Sequence, residues 1–164
     1  MIKRYLTNGL HYFVYIFGCL WLTLLVSLIT TLAGRFVITK DSLEEAVVQM
    51  LVMTITMSIA LFICTYRRGY TDRIFNLKMV LIPIVIALIL QLLYAKIFSF
   101  SIYTSGPAFY AGRILQGGTE LGVSDGFVFP FVLLFDILYI VIAIAGEYIG
   151  ARKRSSESKK MTSN

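Results

Sequence analysis

Four long apolar stretches constrain this chain more than any other feature of its sequence. They run over residues 10–33, 43–65, 79–98 and 127–149 and together cover more than half of the 164 residues. Each is close to the roughly 20 apolar residues that a helix needs to cross about 30 Å of hydrocarbon. The first is too long for the apolar core of a signal peptide, so we expect it to be retained. The sequence therefore predicts an integral membrane protein with four transmembrane helices.

The composition supports an all-α membrane fold. Hydrophobic residues make up 58% of the chain and charged residues only 15%, whereas soluble domains carry about 25% charged residues. The run over residues 80–90 is continuously apolar and lacks the alternation of a barrel strand. We expect one transmembrane domain over residues 1–151, followed by a basic, Ser-rich tail over 152–164 that is disordered.

The basic residues predict that both termini are cytoplasmic. Eleven lysines and arginines precede span one, follow span four or lie between spans two and three, which is one side of the membrane. Four lie on the other side. Short cytoplasmic loops carry such an excess. The residues expected to contact anionic lipid headgroups are Arg67, Arg68, Arg73, Lys78, Arg152, Lys153 and Arg154.

Asp136 is the residue within the spans that most needs an explanation. It lies about ten residues inside the fourth stretch, roughly 15 Å from the outer boundary and close to the bilayer midplane. A carboxylate there costs about 2.5–3.5 kcal/mol, so we expect it to face protein, with Gln91 or a hydroxyl of span one among its neighbours. Tyr139 and Glu147 share its helix face, and Glu147 is expected to be solvated near the cytoplasmic surface. Asp136 is either a structural contact between helices, which we favour, or a group that carries protons or cations.

Two stripes of small residues predict where helices pack against one another. Small side chains let helix backbones approach closely in a membrane, and hydroxyl groups can form hydrogen bonds across the contact. The stripe on span one repeats every four residues, and the one on span four contains a GxxxG motif. Their members are Cys19, Thr23, Ser27 and Thr31 on span one, and Ala143, Gly146 and Gly150 on span four.

The longest connection, over residues 99–126, mixes aromatic residues with glycines. Ser105-Gly106-Pro107 has the pattern of a helix start with Pro at the first helical position, and Gly117-Gly118 the pattern of a helix end. We therefore expect a short helix over residues 107–116 that lies on or dips into the outer membrane interface. Its role is open between a surface for a ligand or partner and a loop that rests on the membrane.

These patterns favour a protein of the cell membrane that does not catalyse a reaction. The sequence has no HExxH, GxSxG or phosphate-binding loop motif, and it has no Cys-x-x-Cys pair that would suggest a metal or redox centre. No cofactor and no nucleic-acid partner is expected. We expect an accessory or regulatory subunit that packs against a larger membrane protein or against itself; the alternative is a small transporter or flippase component that uses Asp136.

Overall fold

The computed structural model of the chain is helical at almost every position that it describes. The described residues are 2–34, 43–72, 75–98, 107–115 and 125–162. They form five helices, which are α1 (Ile2–Gly34), α2 (Leu43–Asp72), α3 (Leu77–Phe98), α4 (Pro107–Leu115) and α5 (Asp125–Thr162). Within these residues there is no strand, as the continuous apolar runs predict.

Three helices are long and apolar enough to cross a membrane. The qualifying segments are Leu6–Ala33 in α1, Leu43–Thr71 in α2 and Pro130–Lys159 in α5. The third predicted stretch also forms a helix, α3, in which the shorter segment Val80–Leu90 is apolar. The described part of the chain is therefore almost entirely helical and has the apolar helices of a membrane protein.

Local sequence explains where several of these helices begin. Asn76 precedes α3, and its side-chain oxygen accepts a hydrogen bond from the backbone N–H of Lys78 at 3.1 Å, as in an N-cap. Pro107 stands at the first position of α4, where a missing N–H costs nothing. Glu44 and Glu45 lie in the first turn of α2, where the helix dipole favours negative charge. The short helix predicted from residue 107 is thus present.

Two helices continue beyond the ends that the apolar runs suggest. α2 extends to Asp72, through half of the expected connecting loop, and α5 extends to Thr162, through the tail expected to be disordered. These extensions pair with each other: the Tyr70 hydroxyl donates to Oε2 of Glu157 at 2.6 Å, and the Arg154 guanidinium lies 5.3 Å from the Tyr70 ring centroid. The composition of the tail over residues 152–164 predicted disorder, because composition does not show that a neighbouring helix packs against the same residues.

The described helices divide into two compact units. The first unit comprises Met1–Phe17, Ser58–Leu92 and Leu138–Asn164, and the second comprises Gly18–Met57 and Leu93–Ile137. In the first unit the backbone of Gly9 in α1 faces α3, because a Cβ built there would lie 2.9 Å from Cγ2 of Ile86. In the second unit α1 and α2 meet along buried residues that include Thr23, Met53 and Met57.

The closest packing in the first unit is between α2 and α5. A Cβ on Gly69 would lie 2.7 Å from Cα of Glu147, and one on Gly146 would lie 3.0 Å from the carbonyl oxygen of Phe62. A Cβ on Gly150 would lie 2.8 Å from the backbone nitrogen of Tyr70. Only glycine fits these positions, so the two backbones touch over about two turns.

This packing predicts that Gly150→Ala destabilises the fold by about 1–3 kcal/mol, since an added methyl group forces the helices apart. Gly18→Ala is the matched control because a Cβ there meets nothing within 4 Å. Both changes raise helix propensity equally, so the control should be neutral or slightly stabilising. Unfolding followed by circular dichroism in mild detergent measures the difference, and equal stability of the two variants would contradict the packing.

Candidate functional site: buried polar clusters within the helices

A buried charged cluster joins three helices in the first unit. Glu147 of α5 forms an ion pair with Arg68 of α2, with Oε1 at 3.0 Å from Nε. The Tyr12 hydroxyl of α1 donates a hydrogen bond to the other carboxylate oxygen, Oε2, at 2.8 Å. Both oxygens of Glu147 therefore bind a different helix. We call Tyr12, Arg68 and Glu147 the Glu147 cluster.

The Glu147 cluster is shielded from solvent. Tyr12 is fully buried, and the side chains of Arg68 and Glu147 are 10% and 7% exposed. The Arg68 guanidinium also lies 4.7 Å from the centroid of the Tyr12 ring, within the range of a cation–π interaction. A buried charge is tolerated only when it is paired and hydrogen-bonded, and here each charge has its counterpart.

The geometry of the Glu147 cluster suits a structural role. Breaking a buried ion pair leaves an uncompensated charge, whereas the intact pair adds little net stability. Such pairs can instead specify which helices meet and in which register. Glu147 binds both α1 and α2 from one position of α5, so it fixes both contacts at the same position along the axis of α5.

A neutral hydrogen-bonded network joins α1 and α2 in the second unit. Ser27 donates to Oε1 of Gln49 at 2.6 Å, and Nε2 of Gln49 donates to the hydroxyl of Thr31 at 2.7 Å. Thr31 in turn donates to the backbone carbonyl of Ser27 at 3.0 Å. The amide of Gln49 thus binds two hydroxyls one helical turn apart. We call Ser27, Thr31 and Gln49 the Gln49 network.

The second unit also contains an ion pair, which anchors the short helix α4. Arg113 is 1% exposed, and its Nη2 lies 3.6 Å from Oε2 of Glu45 in α2. Its guanidinium also lies 5.5 Å from the ring centroid of Tyr110, on the same helix. Pro107, Ala108, Ala111 and Gly112 of α4 are buried as well. α4 is therefore packed into this unit along most of its length.

The residues of both predicted small-residue stripes are largely buried. On α1, Cys19, Thr23 and Ser27 are buried and Thr31 is half-buried. On α5, the stripe residues Ala143, Gly146 and Gly150 are buried, as are Tyr139, Glu147 and Ala151. The sulfur of Met57 lies 3.9 Å from the hydroxyl of Thr23, so a methionine of α2 fills the space beside the α1 stripe.

Asp136 lies on the same face of α5 as the buried stripe but is only half-buried. Its sequence-based partner, Gln91, belongs to α3, but the Gln91 side chain lies outside the described residues. The predicted contact between them therefore stays a prediction.

Two charged side chains differ from the sequence-based expectation. Glu147, expected to be solvated, is buried, and the side chain of Arg68, expected to contact lipid headgroups, lies beside it and is only 10% exposed. Each lies near the end of an apolar run, where sequence alone suggests solvent; the glycine contact between α2 and α5 instead encloses both.

The other basic residues predicted to contact lipid are placed differently from one another. Arg67, Lys78, Arg152 and Lys153 are exposed, and Arg73 lies outside the described residues. Arg154 is half-buried, because it packs on the Tyr70 ring and donates to its hydroxyl at 3.5 Å.

Sequence reasoning missed Tyr12, Gln49 and Gly69. Two of them had a detectable signal. Gly69 follows Thr65 by four residues, the same small-xxx-small spacing that marks Gly146 and Gly150. Gln49 precedes Met53 and Met57 at intervals of four and so shares their helix face. Tyr12 had none, since tyrosine near a membrane boundary is ordinary.

Metal-binding chemistry has no support among the described residues. No group of three or more His, Cys, Asp or Glu side chains there is close enough to hold an ion. Cys19 and Cys64 are free thiols, the first buried and the second half-buried. The polar clusters are instead built from hydroxyl, amide, carboxylate and guanidinium groups that bind one another.

Comparisons with known proteins identify no family for this chain: no family model matches it, and neither a curated protein nor a solved structure matches it.

The Glu147 cluster predicts strong coupling between Arg68 and Glu147. Arg68→Met or Glu147→Leu alone leaves a buried uncompensated charge and should cost about 3–5 kcal/mol of unfolding free energy. The double variant removes both charges and should recover most of that loss. Arg67→Met, which alters an exposed neighbour, should change stability by less than about 0.5 kcal/mol. Denaturant unfolding in detergent gives the four values, and additive losses in the double variant would contradict the pairing.

Proposed function

We propose that the protein is a four-span protein of the cell membrane with cytoplasmic termini, and that it acts without catalysing a reaction. Its role is that of an accessory or regulatory subunit, which associates through its helices with a larger membrane protein or with further copies of itself. The bilayer, including anionic headgroups beside the exposed basic residues, is its other partner.

The length of α3 supports a fourth span. Its 22 residues extend about 33 Å at 1.5 Å per residue, enough for a hydrocarbon core of about 30 Å. The excess of basic residues at the two termini and between α2 and α3 supports the orientation. An even number of crossings is also what places both termini on one side.

The observation that carries the proposed role is that the buried polar side chains bind within the chain. Six buried polar or charged residues occur in the described part of the structure. Each has a hydrogen bond or ion pair with another residue of the same unit; the six are Thr23, Ser27, Gln49, Thr65, Arg113 and Glu147. Ser27, Gln49, Arg113 and Glu147 bind across helices, whereas the hydroxyls of Thr23 and Thr65 donate to carbonyls of their own helices. Polar groups that are already engaged in this way favour an association role over chemistry on a substrate.

The exposed surface also supports association within a membrane. Large aliphatic side chains are exposed on every long helix, for example Leu25 on α1, Ile55 on α2 and Val141 on α5, each at 55–58%. In water such a surface would aggregate, whereas in a bilayer it is solvated by lipid or covered by other helices.

Asp136 favours the alternative role of a small transporter or flippase component. It is an acidic side chain within an apolar helix and is only half-buried. Intramembrane acids of this kind serve proton and ion pathways in pumps and transporters. A homo-oligomer would be the natural form of so small a transporter.

The proposed orientation predicts opposite labelling of two engineered cysteines. Ser156→Cys, at an exposed position of the cytoplasmic end of α5, should react with an impermeant maleimide only after the cells are permeabilised. Leu115→Cys, at the 66% exposed end of α4, should react in intact cells. Both are made after Cys19 and Cys64 are replaced by alanine. Labelling of Ser156→Cys in intact cells would refute the orientation.

The proposed role predicts that the protein copurifies from its own membrane with a larger membrane protein in fixed stoichiometry. Extraction in mild detergent, followed by native mass spectrometry, gives both the identity and the ratio of the components. A homo-oligomer with no second protein, active in solute or lipid transport after reconstitution, would instead establish the alternative.

A further inference from the structure

The burial of α5 changes along one face of the helix. From Tyr139 to Gly150 this face is buried, as the stripe described above shows. In the second unit, however, no side chain from Pro130 to Ile137 is fully buried. Leu133 and Ile137 are 45% and 60% exposed there.

Asp136 lies at the edge of this exposed face. At 100° per residue, Leu133 lies 60° and Ile137 lies 100° from Asp136 around the helix, on the same side. Asp136 is eleven residues from the start of α5 at Asp125, a depth of about 16 Å. The exposed face therefore has a partly covered carboxylate at its edge, beside aliphatic side chains, near the middle of the membrane.

From this arrangement we infer that the exposed face of α5 around Leu133, Asp136 and Ile137 docks a transmembrane helix of a partner that carries a lysine or arginine at the depth of Asp136. The inference rests on the proposed function and identifies the chemistry of the partner.

Charge complementarity selects this occupant. A carboxylate and a basic side chain are each costly near the midplane, and pairing them removes both costs. A second copy of the chain, related by a twofold axis, would place Asp136 against an identical surface and so against a like charge. Among the described side chains of the second unit, the one basic group is the buried guanidinium of Arg113, and it is already paired with Glu45. Lipid alone would leave the carboxylate without a counterion.

The docking surface makes aliphatic contacts as well as an ion pair. Leu133 and Ile137 are separated by one helical turn and would flank the basic side chain of the partner. The partner helix would thus bury apolar surface on either side of the charge. The pair fixes depth and partner choice, which is the known use of buried polar contacts between helices.

The test uses a designed probe helix and the full-length protein in phosphatidylcholine vesicles. The probe is a membrane-spanning polyleucine helix with one central lysine, and the control probe has leucine at that position. Association is measured by energy transfer between labels on the protein and the probe. We expect the lysine probe to bind about tenfold more tightly than the leucine probe, the size of an interhelical polar contact in model peptides.

Variants of the protein show whether the carboxylate is responsible. Asp136→Asn should abolish the preference for the lysine probe, whereas Asp136→Glu should keep it. Leu134→Asn adds an amide at a position that is 60% exposed and 160° away, so it should leave the preference unchanged. Circular dichroism and gel filtration of each variant establish that it is folded. Equal binding of both probes by the wild type, or a preference that survives in Asp136→Asn, would overturn the inference.

One further variant tests pairing within the chain, and one comparison separates this inference from the proposed function. Lys96 lies in α3, five residues after Gln91, and is the candidate partner of Asp136 within the chain. If the lysine preference appears only in Lys96→Met, the carboxylate is neutralised by the chain itself and the inference is wrong. If the wild type and Asp136→Asn both copurify the same larger protein and the lysine probe shows no preference, the accessory role stands and the docking surface does not. If no larger protein copurifies and the chain does not form a homo-oligomer, the accessory role itself fails.

Discussion

The direct contact between the backbones of α2 and α5 is the constraint on which the first unit depends. Helices in lipid gain little hydrophobic energy by associating, so they rely on close packing and on polar contacts. The glycine at position 69 lets α2 lie against the backbone of Glu147, and the next residue back along α2 is Arg68. Close packing and charge pairing are therefore consequences of one contact: moving the helices apart would lengthen the ion pair and leave a buried carboxylate poorly compensated.

The two units stabilise the contacts between their long helices with different chemistry. The first uses an ion pair with a tyrosine hydroxyl, and the second uses the neutral amide of Gln49 between two hydroxyls of α1. Neutral contacts between membrane helices average about 0.6 kcal/mol and are cheap to desolvate. The charged cluster costs more to bury but tolerates fewer alternatives, because each charge must find its counterpart. The Gln49 network thus adds cohesion, and the Glu147 cluster adds specificity of register.

The sequence was sufficient for the helical class, the apolar segments, the start of α4 and the face of α1 that carries Thr23 and Ser27. These features follow from local composition and from helical periodicity. It was insufficient for Glu147 and Arg68, because periodicity places a residue on a face without saying which helix covers that face. The ends of α2 and α5 were missed for the same reason. The Tyr70–Glu157 contact joins residues that are far apart in the sequence, and no local pattern reports it.

Glu147 and Asp136 lie on one face of α5 but in different surroundings. They lie about three turns apart on the same side of α5, and both are acids in a mostly apolar stretch of the sequence. Glu147 is enclosed by residues of α1 and α2, so its charge is used to hold the chain together. Asp136 lies where α5 is less covered, so a similar group is left accessible to another helix. Because an intramembrane charge is costly until it is paired, we propose that the enclosed Glu147 contributes to folding and that the less covered Asp136 contributes to association.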